Sequence, residues 1–409
     1  MIWSHLLNRF VEVRSREPVA VTGVGIVSPM GIGSEVFWKG LFEEPAQGNR
    51  RVPDWHPADW MSRIEARHSD RFAQFAVAAA EQAFADAGAP EVDPDRAATF
   101  IATALGGVAT MDDQSDLRRD RGERRVSPYT VPMIMPNAAV AAVSLRRGWR
   151  GPSEAVLTAC AASTHAIGHA ARLIADGVCD IALAGGAEAP LTPTVVAGFD
   201  NMRALSRSGF LRPFDSGRDG FVISEGSAVV VLESWERAAA RSAHVYGSVL
   251  GSASTSDGHD LTVPLPDGVQ AARCVELALK DAGLSTADVR QVNAHGTGTK
   301  LNDLAEAGAL RRVFGRNVPA VTSIKGATGH AFGASGAFEV VASLLSMQHG
   351  VIPPTIGLGE VDPAAGLAVV PAPGRDWEPG VTISNSFGFG GHNGCLVLGV
   401  PQEICAGSA

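Results

Sequence analysis

Short runs of Val, Ile and Ala recur along this chain, each followed by a segment with helical spacing, and this alternation limits the fold more than any other feature. In the first half the runs are "VAVTGV" (19–24), "ATFIATA" (98–104), "IALAGGA" (181–187) and "GSAVVVLES" (226–234), with a helix-forming stretch "RFAQFAVAAAEQAFADAG" (71–88) among them. In the second half "VYGSVLGSAS" (245–254), "VRQVNAHGTG" (289–298) and "PAVTSIK" (319–325) alternate with helical "GVQAARCVELALKDAG" (268–283), "DLAEAGALRRVFG" (303–315) and "GASGAFEVVASLLSM" (333–347). Continuous apolar runs are strands buried on both faces, and strands that alternate with helices build parallel or mixed sheets covered by helices. The predicted class is α/β.

At 409 residues the chain exceeds a single-core domain, yet no Pro/Ser-rich linker divides it. A faint internal echo joins "AVLTACAASTHAIGHAARLIADG" (155–177) to "AVTSIKGATGHAFGASGAFEVV" (320–341): strand, small-residue turn, Gly and His together, helix. Two similar halves in one body are expected. The Gly-rich "FDSGRDG" (214–220) and "SNSFGFGGHNG" (384–394) read as ordered loops, and "MIWSHLLNRFVEVRSREP" (1–18) as an N-terminal extension.

Composition removes several function classes. Hydrophobic residues make up 45% and charged residues 19% of the chain, with a net charge of -9, which argues for a large core and against nucleic-acid binding. No run approaches the length of a membrane span and the N-terminus lacks the apolar core of a signal peptide, so neither a membrane nor export is expected. The five cysteines (160, 179, 274, 395, 405) are odd in number and never paired as C-x-x-C, which fits a reducing cytoplasm and neither a disulfide framework nor a thiolate zinc site. No H-E-x-x-H is present either, so no metal is expected.

Five stretches set reactive or donor residues among glycines: "TACAAS" with Cys160, "NAHGTGT" with His295, "SIKGATGHAFGASGA" with His330, "GFVISEGS" (220–227), and "NSFGFGGHNG". Glycine at this density lets backbone N–H groups approach a substrate, as an oxyanion site requires. Cys160 ends an apolar, strand-like run and precedes a helix. A free cysteine is commonly a small buried hydrophobe, but at a strand-to-helix junction the first-turn N–H groups would favour its thiolate. His295 and His330 follow strands, and read singly each is either a packed structural residue or a catalytic donor.

Two competing signals fail on local chemistry. "VAVTGVGIVSPMG" offers a strand, then Gly23 and Gly25, with Glu43 further on. Ser28 replaces the third glycine, and Pro29 and Gly31 delay any helix, so a pyrophosphate would lack its helix N-terminus. No G-x-S-x-G nucleophile elbow occurs.

In family order, "RGPSEAVLTACAASTHAIGHAARLI", "NAHGTGT", "SIKGATGHAFGASGAFE" and "SNSFGFGGHNG" resemble the motifs of the β-ketoacyl-acyl-carrier-protein synthases of the thiolase superfamily, from Val19 to Val400. The Cys-His-His set resembles the elongating class, in both its type II polyketide and fatty-acid forms. The resemblance implies a thiolase-like fold with two βαβαβ-type halves, 19–250 with the nucleophile and 251–409 with the histidines, stacked as α-β-α-β-α.

It further implies that Cys160 accepts the acyl chain, that His295 and His330 handle the malonyl thioester, and that Lys325 and Glu339 support them. Phe389, with Phe387 beside it, would gate the site and complete the oxyanion hole with Cys160. Thr297 and Thr299 would hold a phosphopantetheine arm, and Met111 would limit the acyl pocket. Arg67, Arg124, Arg125 and Arg203 would meet an acidic acyl carrier protein. The implied reaction is decarboxylative condensation of malonyl-carrier with the acyl-Cys160 thioester, without a cofactor beyond the phosphopantetheine that arrives on the carrier. Relatives are dimers, so a homodimer or a pair with a chain-length factor is expected. The alternatives are a chain-length-factor-like subunit, which typically lacks the cysteine, or a non-catalytic carrier-binding scaffold.

Overall fold

The computed structural model describes residues 17–400; Cys405 and residues 1–16 of the N-terminal extension lie outside the described residues. The principal strands are β1 (Val19–Ser28), β2 (Ala97–Ala102), β3 (Ser153–Glu154), β4 (Ile181–Glu188), β5 (Gly226–Ser234), β6 (Gly247–Ser256), β7 (Val289–Asn293), β8 (Ala320–Thr322), β9 (Val381–Gly388) and β10 (His392–Gly399). They form one sheet in the order β3-β2-β4-β5-β1-β6-β10-β9-β7-β8, with a two-residue strand, Gly31–Ile32, added to β1. Read from either end the order is equivalent. In the first half β3, β2 and β4 run parallel and β5 and β1 follow antiparallel. In the second half β8, β7 and β9 run parallel and β10 and β6 follow antiparallel. The halves meet where Val19–Val21 pairs with Gly247–Val249.

Helices cover both faces. On the outside of the first half, α1 (Arg71–Asp86) packs on β1 and β5 beside α3 (Ala138–Arg147), while α2 (Val108–Arg121) lies at the surface. On the outside of the second, α6 (Val269–Asp281) packs on β6 and β10 beside α7 (Lys300–Phe314). Between the halves lie α4 (Ala162–Ala175) and α8 (Ser335–His349), which touch each other and strands of both halves. This gives the expected α-β-α-β-α stack. A short helix, α5 (Pro193–Asn201), closes one side of the site. The internal echo now has a cause, because its two copies are the equivalent elements β3 to α4 and β8 to α8.

Residue chemistry explains the layers. α1 is capped by Asp70, whose carboxylate accepts the Phe72 N–H at 3.1 Å, and it presents Phe72, Phe75, Ala76, Ala79 and Ala83 to the sheet. Every residue of α8 from Ser335 to Met347 is buried, so its sequence is small or apolar all round save Glu339, which pairs with Lys325. Gly23 and Gly25 are packing glycines. A Cβ on Gly25 would stand 2.0 Å from Ala79 O, and one on Gly23 2.2 Å from Ala83 O, so α1 can approach β1 only where side chains are absent.

Three sequence expectations change. The run before Cys160 is not a strand: β3 ends at Glu154, and only the Thr103 N–H to Val156 O bond, 3.3 Å, still ties the segment to β2 as the chain leaves the sheet. "SNSFGFGGHNG" is not a free loop but the β9–β10 hairpin, turned at Gly390 (φ 83°) and Gly391 (φ 74°). Residue 250 falls inside β6, so we propose that the halves divide just before Gly247.

Gly25→Ala should force α1 off β1 and destabilise the protein by about 1–3 kcal/mol, the usual cost of overpacking a dense core. Urea denaturation checks this, and an unchanged midpoint would contradict the packing role.

Candidate active site

Cys160 lies in a single 3-10 turn, Ala159–Ala161, immediately ahead of α4. Ala159 holds φ 49°, a left-handed conformation that costs a residue with a Cβ about 1 kcal/mol or more. The turn presents the sulfur to a cavity of about 660 Å³, which Cys160, His295 and His330 all line. Phe332, two residues past His330, is likewise left-handed at φ 43°. Strained backbone thus flanks both members of the closest catalytic contact.

The Cys160 sulfur, His295 and His330 bring one ligand-type atom each to within 4.8 Å of one another. His330 Nε2 is 3.1 Å from Cys160 Sγ. Burial pushes the Cys160 thiol up to about 12, against the pull of Lys325 and an N–H bond from Phe389. The helix terminus therefore does not deliver a resting thiolate, as the sequence position suggested; desolvation of the anion by burial wins. Burial also holds both imidazoles well below their usual range, helped by the nearby Lys325 charge. The resting trio is a neutral thiol between two neutral imidazoles.

Lys325 fixes His295. Its ammonium is only 1% exposed; it donates to His295 O at 2.5 Å, lies 3.2 Å from His295 Nδ1, and pairs with Glu339. An ammonium has donors only, so Nδ1 accepts and the ring carries its hydrogen on Nε2, toward the cavity. The same tautomer leaves His295 without a lone pair facing the sulfur, so His295 stands there as a hydrogen-bond donor and not as a zinc-type ligand. Glu339 also accepts from Ser386 Oγ at 3.3 Å, and burial pushes its carboxyl up to about 7 against the pull of Lys325.

The gate is tied down on both sides. Phe389 is exposed at the mouth, while its N–H points at the Cys160 sulfur. A Cβ on Gly388 would stand 2.8 Å from Thr158 O and 3.0 Å from Cys160 N, so only glycine lets the hairpin approach the nucleophile's own N–H. Gly390 N–H donates to Leu261 O at 2.7 Å, Asp257 N–H to Gly391 O at 2.8 Å, and Asn393 Nδ2 to Asp257 Oδ1 at 2.7 Å. Phe387 meets the His295 ring edge-on at 5.8 Å. Thr297 and Thr299 line the cavity with their hydroxyls 3.0 Å apart, and Thr299 also caps α7.

The rest of the expected set divides. Arg203 lines the cavity mouth. Arg67, Arg124 and Arg125 are exposed, and stacking of His68 on Tyr129, ring centres 3.5 Å apart, draws their two segments together. Met111 does not reach the cavity of the single chain: it is 50% exposed on α2. A helix turned outward cannot place its side chain in the pocket of its own subunit. His165 is buried and bound by Thr158 Oγ1 at 2.7 Å and Asn393 O at 3.1 Å, away from any catalytic task.

Sequence reasoning missed several supporting residues. Glu306 accepts the His295 and Gly296 N–H groups, both at 2.8 Å, and so shapes the loop that carries His295. Glu188 accepts from Thr103 Oγ1 (2.9 Å), Ala104 N (2.7 Å), Leu105 N (3.1 Å) and Gly333 N (3.0 Å), joining the halves beside the cavity. Burial raises each of these carboxyls to about 7 against those bonds. Arg50, 6% exposed, donates to the carbonyls of Gly326 (3.0 Å) and Ala327 in the turn between Lys325 and His330. The only signal was an acidic side chain inside a small or apolar run, as Glu188 in "GGAEAP" (185–190) and Glu306 in "DLAEAGAL" (303–310), without a partner nearby in sequence.

Comparison with known proteins shows the family of the chain. The family model described as beta-ketoacyl synthase, N-terminal domain, matches residues 54–238, and its C-terminal counterpart residues 246–359. A Synechocystis 3-oxoacyl-acyl-carrier-protein synthase 2 is 39% identical, spanning 94% of this chain and 98% of the relative. The enzyme of the same name from Rhizobium meliloti is 40% identical, over 93% and 98%. Among solved structures, the ishigamide ketosynthase/chain length factor superposes with TM-score 0.88 at 32% identity, over 94% of this chain and 99% of that one. A type II polyketide ketosynthase, solved with its acyl-carrier protein and bound to the hexaketide, gives 0.86 at 31%, over 94% and 100%.

Gly388→Ala should crowd the Cys160 N–H and slow acyl transfer to the sulfur roughly 100-fold, the scale of one lost oxyanion donor, with little change in melting temperature. Rapid-quench mass spectrometry reads the rate, and acylation at the parent rate would contradict the assignment. Because both imidazole pKa values are depressed by burial, the protonated, inactive form accumulates only in acid. Turnover should therefore stay level as pH falls through 6.5. A pH–rate profile showing half-maximal loss at or above pH 6.5 would contradict buried, neutral histidines.

Proposed function

This chain belongs to the β-ketoacyl synthase family, and we propose that it lengthens an acyl chain, held as a thioester on Cys160, by two carbons from a malonyl-acyl carrier protein. The observation that carries the reading is the meeting of a thiol and two neutral imidazoles, with the Phe389 N–H aimed at the sulfur, in the wall of a cavity of about 660 Å³.

In the first half-reaction Cys160 sulfur attacks the acyl thioester as its proton passes to His330 Nε2. The tetrahedral oxyanion sits on the N–H groups of Cys160 and Phe389, and the carrier's pantetheine sulfur leaves with the proton. In the second, malonyl-carrier enters with its arm along Thr297 and Thr299. His295 and His330 donate Nε2–H to the malonyl thioester carbonyl, the bond to the carboxylate breaks, CO2 departs, and its electron pair forms an enolate. The enolate carbon attacks acyl-Cys160; the C–S bond breaks, and the leaving thiolate takes up one proton from solvent, which the loss of CO2 from a carboxylate requires. Each negative charge in the cycle develops beside a hydrogen-bond donor supplied by the chain, and one proton enters from solvent per turnover.

The pathway is type II fatty-acid or polyketide synthesis, and the partners are an acyl carrier protein and a second ketosynthase-fold subunit, identical or a chain-length factor. Against a net charge of -9, the exposed Arg67, Arg124, Arg125 and Arg203 supply the local positive rim an acidic carrier needs. Met111, Val131 and Met135, exposed on adjoining segments, fit a subunit interface, where Met111 would meet an acyl pocket completed by the partner. The intact Cys160 and His330 contact weighs against a non-condensing chain-length factor and against a mere scaffold. Among the described residues no helix is long and apolar enough to cross a membrane, and the scattered cysteines support a cytoplasmic setting.

Cys160→Ala should abolish both acylation and chain extension. His295→Ala or His330→Ala should leave self-acylation at least partly intact while malonyl decarboxylation falls by 2–4 orders of magnitude, roughly the loss of one or two donors at the developing charge. Intact-mass measurement and CO2 release check the pair, and normal CO2 release from both histidine variants would reject their roles.

A further inference from the structure

The two half-reactions make opposite demands on one atom. Given the condensation reading above, His330 Nε2 must offer a lone pair while Cys160 is a thiol and a hydrogen once Cys160 is acylated. His295 faces no such reversal, because Lys325 fixes it as an Nε2–H donor throughout.

His330 is held differently. Ser335, the first residue of α8, places its hydroxyl 2.9 Å from His330 Nδ1. The same oxygen accepts the Ala331 N–H at 3.0 Å. A serine hydroxyl has one hydrogen and two lone pairs, so after Ala331 is served one donor and one acceptor remain for the ring. Phe221 and Phe332 meet the imidazole edge-on at 5.6 and 5.1 Å and hold its plane. The ring need not turn to change its hydrogen-bonding sense.

We propose that Ser335 is the positioning residue that lets His330 exchange tautomers between the two half-reactions. With Cys160 free, Nδ1–H donates to Ser335 Oγ and Nε2 accepts the thiol hydrogen. With Cys160 acylated, Ser335 O–H donates to Nδ1, and Nε2–H points at the place the malonyl carbonyl takes. The exchange is balanced: one proton leaves Nδ1, one arrives at Nε2, water in the open cavity carries it, and the ring is neutral before and after. Burial of the ring keeps both end states neutral.

The test uses the full-length protein labelled with [15N]histidine, read by two-bond proton–nitrogen correlation spectra, with the His330 signals identified by their loss in His330→Gln. Hexanoyl-N-acetylcysteamine serves as the acylating probe, and intact mass verifies the adduct on Cys160. The expected result is Nδ1–H before acylation and Nε2–H after it. An unchanged tautomer in protein of which the mass shows full acylation overturns the proposal and leaves the condensation reading standing. Absence of the adduct overturns both.

Ser335→Ala should mix the two tautomers in each state and slow acylation and malonyl decarboxylation by about tenfold each, the scale of one hydrogen bond at a reacting group, with Ser335→Thr restoring both. A lower melting temperature with both rates and both tautomers unchanged would make Ser335 a structural residue of the turn before α8 alone and overturn the assignment.

Discussion

The close approach of α4 and α8 is the contact on which the site depends. A Cβ on Gly336 would lie 2.1 Å from Thr164 Oγ1, and the Ala337 N–H donates to Ser163 Oγ at 2.9 Å. Small residues at this crossing let the N-terminal ends of two buried helices, one from each half, meet face to face. Cys160 stands just before one end and His330 just before the other, so their 3.1 Å contact is a consequence of how the halves join. The paired order of the sheet makes the same point on a larger scale: neither half contains the site, and the pseudo-symmetric body brings its parts together.

Burial then sets the chemistry. Desolvation by burial favours the protonated thiol and the neutral imidazoles, because each charged form would lose part of its hydration without full replacement. The exception is the Lys325–Glu339 pair, sealed in the interior, whose spare donors fix the tautomer of His295. Carboxylates of Glu306 and Glu188 hold backbone N–H groups of the catalytic loops instead of facing substrate. The supporting charges thus act by orienting others, so that donors stand ready where the reaction creates and removes negative charge.

Much of the design was legible in the residues. Apolar runs and helical spacing gave the α/β class, and the echo of 155–177 in 320–341 announced the duplication, because equivalent positions in two halves bury similar surfaces. Gly-rich motifs marked Cys160, His295 and His330 as candidates, since close backbone approach to a substrate excludes side chains, and the family resemblance added Phe389. Other features were illegible for stated reasons. Gly23 and Gly25 mimicked a phosphate loop, yet their absent side chains answer to α1. The hairpin at 381–399 was hidden because its strands carry the same small polar residues as a loop, and pairing with β7 and β6 is what makes them strands.

By itself the sequence determined the class and the duplication and named the candidate reactive groups, because periodicity, glycine density and side-chain chemistry are local properties. Only the tertiary structure decided which of them meet. His165 lies five residues from Cys160 and is turned into the core, whereas His295 and His330, far along the chain, reach the sulfur. It also decided their protonation: a helix start suggested a thiolate, but desolvation exceeded that local field and left a thiol. And it separated two histidines of like motif, one locked by an ammonium that can only donate, the other resting on a hydroxyl that can donate or accept. Distance along the chain carries no information about such contacts, since they arise where two halves of a sheet close on a pair of buried helices.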